Sequence, residues 1–325
     1  MSKAVWIAWV VLAGMAGQDD ASAADARSWP SRPIRLVVPS APGSGFDGIG
    51  RSLADRLGAR LGQRVVVENR PGATGLIGGE VVAKAPADGH TLLFTFTTAL
   101  VANTFLQPQM PHSVNDFTAI SQFGGGGVYL LVSADLPVHD LREFVDYVKK
   151  RPDELDYGSW GNGSGGHIVM ESLKMQTGIA IRHIPYKSIP PILVDMQAGR
   201  LKVGLADGSS SLPLIRARKM RAFAVSGSRR GMATPEVPTM NEQGVRFDAD
   251  VWYGVFGPAG MPADIVRRLN RELNGILRGP EMMERFRTLN LSEPRAGTPE
   301  EFAQTIQADL KTWGDVIKAA GITLE

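Results

Sequence analysis

The sequence predicts an α/β protein with two lobes, each built on a mostly parallel sheet. Strand and helix patterns alternate along most of the 325 residues, and this length favours two cores over one. A strand, a glycine-rich loop and a helix follow one another twice, once on each side of Gly124–Gly127. Four successive glycines are costly inside an element because of their backbone entropy, so we expect this segment to cross between the lobes.

The individual elements follow from periodicity and turn residues. Short apolar runs bounded by turn residues predict the strands Ile34–Val38, Arg64–Glu68, Thr91–Phe96, Phe117–Phe123, Tyr129–Ser133, a short strand that ends with Asp156-Tyr157-Gly158, Leu201–Ala206, Arg221–Val225 and Val251–Phe256. Amphipathic spacing and first-turn prolines predict the helices Ile49–Leu61, Leu76–Ala85, Leu141–Arg151, His167–Thr177, Ile189–Gln197, Leu212–Ala217, Pro262–Leu277, Pro280–Leu289 and Pro299–Ala320. If the last strand crosses back, lobe 1 comprises residues 24–124 and 250–325, and lobe 2 comprises residues 125–249.

The N-terminus predicts export. Lys3 precedes the apolar stretch Ala4–Gly17, and Ala21-Ser22-Ala23 matches a cleavage site, so residues 1–23 are expected to be a signal peptide cleaved near Ala23. Ala24-Asp25-Ala26 is a second candidate site, and an uncleaved membrane anchor is the alternative. We expect a free periplasmic protein.

The amino-acid composition limits the kinds of binding partner that we expect. The hydrophobic fraction of 43%, the charged fraction of 21% and the net charge of +2 are those of a globular protein, and no basic run suggests nucleic acid. The absence of cysteine excludes disulfides and thiol catalysis. We expect a monomer that binds no nucleic acid.

The loop after the first strand fits two kinds of anion. Gly43-x-Gly45-x-x-Gly48, followed by Glu68, matches a dinucleotide fingerprint. Prolines stiffen this turn, however, Asp47 would repel a pyrophosphate, and export in an unfolded state argues against a bound cofactor. We therefore expect no cofactor, and a helix start that holds a small carboxylate.

Catalytic and metal signatures are missing. Ser164 does not complete G-x-S-x-G, because position 162 is Asn, and the five histidines have no metal-ligand spacing. We expect no catalytic residue and no metal site. His167 stands out because it opens the helix after the second glycine-rich loop.

The candidate ligand-binding residues lie on the two loops and at nearby strand ends. They are Ser40, Ala41, Gly43, Ser44, Phe46, Asp47, Thr95, Thr97, Thr98, Ser159, Trp160, Gly161, Ser164, Gly165, His167, Tyr186 and Asp207. The hydroxyls can equally serve as turn or cap groups, the two aspartates as helix caps or turn formers, and Tyr186 as the cover of a turn. Trp252 is a candidate pocket wall or a core residue.

Motifs along the whole mature chain resemble one family. They are Trp29-Pro30-x-x-Pro33-Ile34, Pro42-Gly43-x-x-x-Asp47, Val67-Glu68-Asn69-Arg70-Pro71-Gly72-Ala73, Asp88-Gly89-x-Thr91-Leu92-Leu93, Tyr157-Gly158-Ser159-x-Gly161-x-Gly163-Ser164-x-x-His167, His183-x-Pro185-Tyr186-Lys187, Val237-Pro238-Thr239-x-x-Glu242-x-Gly244, Trp252-Tyr253-Gly254 and Thr298-Pro299-Glu300-Glu301-Phe302. In this order they resemble the substrate-binding receptors of tripartite tricarboxylate transporters, the Bug proteins.

The resemblance implies a type II periplasmic binding protein fold with a two-crossing hinge. It also implies a small carboxylate ligand, loops at Ser40–Asp47 and Ser159–His167 that capture it, and a membrane permease as partner. This chain has Gly43-Ser44 where the family commonly has Gly-Gly, and Ser188 where it commonly has Gly. A sensor partner that presents its ligand to a membrane kinase and a secreted hydrolase on the same scaffold are the alternatives.

Overall fold

The fold contains two five-stranded sheets connected by helices. A computed structural model of the chain describes residues 29–247, 249 and 251–324, so the expected signal peptide lies outside the described residues. The strands are β1 (Ile34–Val38), β2 (Val65–Asn69), β3 (Thr91–Phe96), β4 (Phe117–Phe123), β5 (Val128–Ser133), β6 (Asp156–Ser159), β7 (Arg182–Pro185), β8 (Val203–Asp207), β9 (Met220–Val225) and β10 (Tyr253–Pro258).

The helices begin and end close to the predicted positions. They are α1 (Gly45–Leu61), α2 (Leu76–Ala83), α3 (Asn103–Leu106), α4 (Leu141–Lys149), α5 (Gly165–Thr177), α6 (Ile189–Gln197), α7 (Gly208–Arg216), α8 (Ala263–Leu277), α9 (Pro280–Thr288) and α10 (Pro299–Ala319). A π-helical turn, Thr98–Ala102, leads into α3, and short 3-10 turns lie at Ala73–Gly75, Val114–Asp116 and Asn241–Gln243. Among the described residues, no helix has the length and apolarity that a membrane crossing requires.

The two sheets have the same plan. Their strand orders are β2-β1-β3-β10-β4 and β7-β6-β8-β5-β9. In each sheet the fourth strand in this order is antiparallel to both neighbours, and the other four strands share one direction. The predicted mostly parallel, two-lobed α/β architecture is therefore confirmed.

Three helices begin earlier than predicted. Helix α1 starts at Gly45 rather than Ile49, α5 at Gly165 rather than His167, and α7 at Gly208 rather than Leu212. A serine or aspartate side chain caps each start, so glycine in the first turn is tolerated there. Strand β7 was not predicted, because only four residues, of which two are half-buried, form it.

The two chain crossings touch backbone to backbone. A β carbon placed on Gly125 would lie 1.2 Å from the carbonyl oxygen of Val251, so no side chain fits where the outgoing and returning segments meet. The Thr97 hydroxyl accepts a hydrogen bond from the Trp252 amide at 2.7 Å, which joins the end of β3 to the returning segment. These contacts explain the run of glycines.

Helix α10 contacts the part of the molecule around the first sheet near its start and the part around the second sheet near its end. Near its start, the Phe302 ring would lie 2.5 Å from a β carbon at Gly254, which belongs to β10. Near its end, the Trp313 ring packs edge-on against Phe247, with centroids 5.6 Å apart. The sequence prediction placed this helix in lobe 1 alone, and the residue boundaries of the lobes stay a prediction.

Candidate functional site

Both sheets present the carboxyl ends of their parallel strands to the crossings. In the first sheet, β3 and β4 both run toward the crossing segments. In the second sheet, β5 leaves the crossing and pairs Val128 with Asp207, so β8 and its parallel neighbours end there as well. The loops after β1 and β6 therefore lie at the edges by which the two sheets face each other, where open α/β sheets bind ligands.

The first loop ends in a capped helix start. Ser44 is the N-cap of α1, and its hydroxyl accepts a hydrogen bond from the Asp47 amide at 3.1 Å. The Asp47 carboxylate accepts a hydrogen bond from the amide of Gly43, at 2.8 Å, and Gly43 has a φ of 81° that favours glycine. The loop is thus fixed by two reciprocal bonds between Gly43-Ser44 and Asp47.

Two further side chains hold Asp47 in place. The Arg51 guanidinium donates to one carboxylate oxygen at 2.9 Å, and the Asn69 amide donates to the other at 2.8 Å. Burial by itself would raise the pKa of Asp47, but the hydrogen bonds from Arg51, Asn69 and Gly43 outweigh it and leave this pKa below its ordinary value. Asp47 is therefore a charged structural residue behind the loop.

The second loop repeats this arrangement with different chemistry. Ser164 is the N-cap of α5 and accepts a hydrogen bond from the His167 amide at 3.3 Å. The Nδ1 atom of His167 accepts from the amide of Gly163 at 3.1 Å, and Gly163 has a φ of 67°. An accepting Nδ1 carries no proton, so the neutral tautomer of His167 is protonated on Nε2.

A polar cluster supports His167. Its ring stacks on His183 with centroids 4.0 Å apart, and the Nε2 of His183 lies 2.7 Å from the Ser159 hydroxyl. Burial, with a smaller contribution from His167, lowers the pKa of His183 to about 4, and burial also lowers the pKa of His167. Both imidazoles are therefore neutral near pH 7. Glu171, with its oxygen 3.9 Å from His167, accepts from Tyr157 and Lys174.

Each helix start leaves two amides without a partner among the described residues. They are the first two residues of α1, Gly45 and Phe46, and of α5, Gly165 and Gly166. The amide of the third residue is capped in both helices. Two amide donors and the positive end of a helix dipole form a seat for a carboxylate.

Several predicted site residues have structural roles. The Thr97 hydroxyl is buried against the Trp252 backbone, the Asp207 carboxylate caps α7 through the Ser210 amide, and the Tyr186 hydroxyl donates to Asp195 at 2.6 Å. Burial, followed by the hydrogen bond to Asp195, raises the pKa of Tyr186 to about 12. Trp252 is a core residue with no exposed surface.

The other predicted residues lie on or beside the loops. Ser40 accepts a hydrogen bond from the Ser44 hydroxyl at 3.1 Å, and buried Ser159 accepts one from Ser164 at 3.2 Å. Trp160 packs against Gly165 and Gly166, and Ala41 and Gly161 belong to the loops themselves. Thr95 is buried with an unpartnered hydroxyl, and Thr98 is half-buried in the π-helical turn. Whether these residues contact a ligand stays a prediction.

Four residues of the site were missed from sequence. Arg51 and Asn69 fix Asp47, while His183 and Glu171 surround His167. Asn69 and His183 stand within the family motifs, which was the available signal. Arg51 lies four positions after Asp47, and Glu171 lies four positions after His167. Each therefore shares a helix face with the residue that it supports.

Two surface grooves lie away from the loops. One, of about 620 Å³, runs between the second half of α1 and the edge strand β2, and the other, of about 400 Å³, lies beside the start of α10. Within the described ranges, no group of three or more His, Asp or Glu side chains is placed to hold a metal ion. The facing helix starts, rather than a groove or a metal, therefore define the candidate site.

Two α/β lobes joined by two chain crossings are the architecture of periplasmic binding proteins. A family model described as "Tripartite tricarboxylate transporter family receptor" matches residues 49–322. The Bordetella pertussis protein BugT is 34% identical over 308 residues, which cover 94% of each chain. The chain belongs to the tripartite tricarboxylate transporter receptor family.

Solved structures support the same assignment. Rpa4515 from R. palustris, solved with adipate, has 32% identity and a TM-score of 0.76, and the match covers 91% of this chain and all of that one. MatC from Rhodopseudomonas palustris, with bound malate, has 29% identity and a TM-score of 0.72 over 89% of this chain and all of its own. The matching family model is that of a receptor.

Proposed function

We propose that this chain is a periplasmic receptor that captures a small carboxylate between the starts of α1 and α5. The observation that carries the proposal is the matched pair of helix starts, each with a serine cap, a locked glycine and two amides without a partner among the described residues. Amide donors recognise an anion without adding a full positive charge, so the ligand is bound and still released.

Movement about the two crossings would complete the site. The first crossing is Gly124–Gly127, and the second is the segment before β10. Closure about such a pair of hinges brings donors from two lobes onto one ligand and excludes water from it. The closed, liganded monomer would then be the form that a tripartite membrane permease recognises. Export, with cleavage near Ala23, would deliver the chain to the periplasm.

The carboxylate class rests on the donors and on the relatives. The relatives solved with adipate and malate hold small organic acids, and the four amides of this chain are donors that suit a carboxylate. A hydrolase on this scaffold is less favoured, because Ser159 is fully buried and the Ser164 hydroxyl is engaged with Ser159 and the His167 amide. We therefore infer a receptor without catalytic activity.

Calorimetry with a panel of mono-, di- and tricarboxylates tests the proposal. At least one acid should bind and raise Tm, because a ligand that binds only the native state stabilises it. Gly45→Pro should weaken that binding roughly 10- to 100-fold, the value of one charge-assisted hydrogen bond. Proline suits this position, because Ser44 has a ψ of 160° and the first helical residue needs no amide proton.

Gly45→Ala is the matched control. It keeps the amide, and no atom lies within 4 Å of the added β carbon. Binding should therefore remain within about twofold of the parent, an expectation that follows from the unchanged donor set. If no acid of the panel binds, or if both variants lose affinity equally, the proposed function is wrong.

A further inference from the structure

An aromatic side chain lies beside each of the two carboxylate seats. At the first seat it is Phe46, the second residue of α1, which is half-buried. Its ring stacks on Phe94 with centroids 4.5 Å apart and planes 5° apart. Phe96 and Tyr253 meet it edge-on, at 5.4 and 4.9 Å. Three rings thus hold Phe46 at the helix start that carries two amides without a partner among the described residues.

At the second seat the aromatic side chain comes from the preceding loop. Gly166 occupies the position in α5 that Phe46 occupies in α1. A β carbon on Gly166 would lie 2.7 Å from the Trp160 ring, and one on Gly165 would lie 3.4 Å from it. The glycines therefore make room for an indole against the first turn. An anion seated on either helix start meets an aromatic surface beside it.

The two loops themselves offer no cation to a second carboxylate. Neither Ser40–Asp47 nor Ser159–His167 contains Lys or Arg. Arg51 is engaged with Asp47 and Asn69. The Arg285 guanidinium, which has no ion pair among the described residues, lies 3.0 Å from a β-carbon position on Gly48, against the side of the first turn rather than its end.

Negative charge lies on the same side as the aromatic cluster. Asp207 ends β8 opposite Val128, next to the first crossing, and burial, followed by the Asp207 carboxylate, raises the pKa of Tyr253 at the start of β10. Asp207 caps α7 and is bonded to Ser209 and Ser210. A ligand with a second carboxylate in this direction would be repelled.

These observations point to one class of ligand. We propose, resting on the proposed function above, that the receptor prefers a monocarboxylate with a flat, apolar body, such as an aromatic acid, over aliphatic di- and tricarboxylates. The carboxylate takes the amide donors, and the body packs between Phe46 and Trp160. Ring contacts of this kind strengthen binding beyond the effect of the buried area.

Titration calorimetry with benzoate, adipate and citrate tests this preference. Benzoate should bind at least tenfold more tightly than either polycarboxylate. Phe46→Leu and Trp160→Leu should each weaken benzoate binding roughly two- to tenfold, which corresponds to the loss of one ring contact. The affinity for acetate, which has no body to stack, should stay unchanged in both variants and reports an intact seat. Tyr147→Leu is the control, because Tyr147 lies on α4, outside both loops, and its ring packs under Arg151.

The outcomes separate this inference from the proposed function. Tighter binding of adipate or citrate than of benzoate would leave the receptor function standing and overturn the aromatic preference, particularly if Arg285→Gln removed that binding. Equal affinity of benzoate for the parent and both ring variants would also overturn it. Failure of all four acids, acetate included, would count against the carboxylate receptor itself.

Discussion

The two glycine-rich loops have the same backbone conformation but differ in the side chain that accepts the amide of the loop glycine. We call this side chain the lock. The N-cap residues Ser44 and Ser164 have φ of −68° in both loops and ψ of 160° and 158°. In the first loop a buried carboxylate, Asp47, accepts the glycine amide and is neutralised by Arg51. In the second loop a neutral imidazole, His167, accepts the equivalent amide. The fold thus requires an acceptor at the third helical residue, but it does not require a charge there.

The difference has an electrostatic consequence. A carboxylate bound as proposed would lie near Asp47 at the first loop, where Arg51 offsets the charge, and near the neutral imidazole of His167 at the second loop. The residue four positions after each lock follows the same logic, since Arg51 accompanies the acid and Glu171 accompanies the imidazole. Asp47 with Arg51, and His167 with Glu171, therefore each form a coupled pair.

The largest expected effect is the loss of the charged lock. Asp47→Ala should lower the free energy of unfolding by about 2 kcal/mol, because it removes an ionised acceptor that serves Gly43, Arg51 and Asn69. His167→Ala should cost about 1 kcal/mol, the value of one neutral hydrogen bond. Urea titration of both variants measures the two costs, and equal losses would contradict the distinction between the locks.

Exchanging the locks should produce the next largest effect. His167→Asp places a carboxylate one helical turn before Glu171, and we expect a loss of about 1–2 kcal/mol from like-charge repulsion and burial. Adding Glu171→Arg rebuilds the acid–arginine pair of the first loop and should recover about 0.5–1 kcal/mol of it. Glu171→Arg alone is the control, because it also breaks the bond to Tyr157. Strictly additive losses would contradict a coupled unit.

The serine caps should contribute about equally. Ser44→Ala and Ser164→Ala should each cost about 1 kcal/mol, because both hydroxyls accept the amide of the third helical residue in the same geometry. Ser44→Gly should cost only a few tenths of a kcal/mol, since glycine is a tolerated N-cap. Thermal unfolding of the three variants compares them, and a negligible loss at either serine would show that its cap is not needed.

The last prediction concerns the pH dependence of stability. The pKa of His183 is about 4 in the folded chain and about 6.5 when unfolded, so the unfolded state binds a proton first as the pH falls. Its contribution is fully present above pH 6.5 and is lost as the pH falls toward 4. His183→Gln should therefore flatten the plot of Tm against pH between these values, with Tyr147→Leu as the control. An unchanged slope would exclude His183 as the titrating group.

Local chemistry made much of this site predictable from sequence. The same pattern, Gly-Ser-Gly, occurs at Gly43–Gly45 and at Gly163–Gly165. It predicts a glycine in the left-handed conformation, an N-cap serine and a helix start. Such hydrogen bonds connect neighbours in the chain, and their geometry follows from residue type. The alternation of strands and helices likewise fixed the α/β class, and the glycine run marked the first crossing.

Contacts between distant residues were beyond that reasoning. Asn69 reaches Asp47 from the end of β2, and His183 reaches His167 from a strand too short and exposed to be recognised. Phe46, Phe94 and Tyr253 form one aromatic cluster only because β3 and β10 are neighbours in the sheet. The apolar pattern shows that such residues are buried or half-buried without showing what they meet.

The sequence by itself therefore determined the two capped loops, because each is stabilised by bonds within a single turn. Only the tertiary structure decided that both loops lie at the sheet edges beside the crossings, and that Tyr253 joins Phe46 in one aromatic cluster. The reason is physical: strand order and direction bring together groups more than a hundred residues apart, and no local periodicity encodes that pairing.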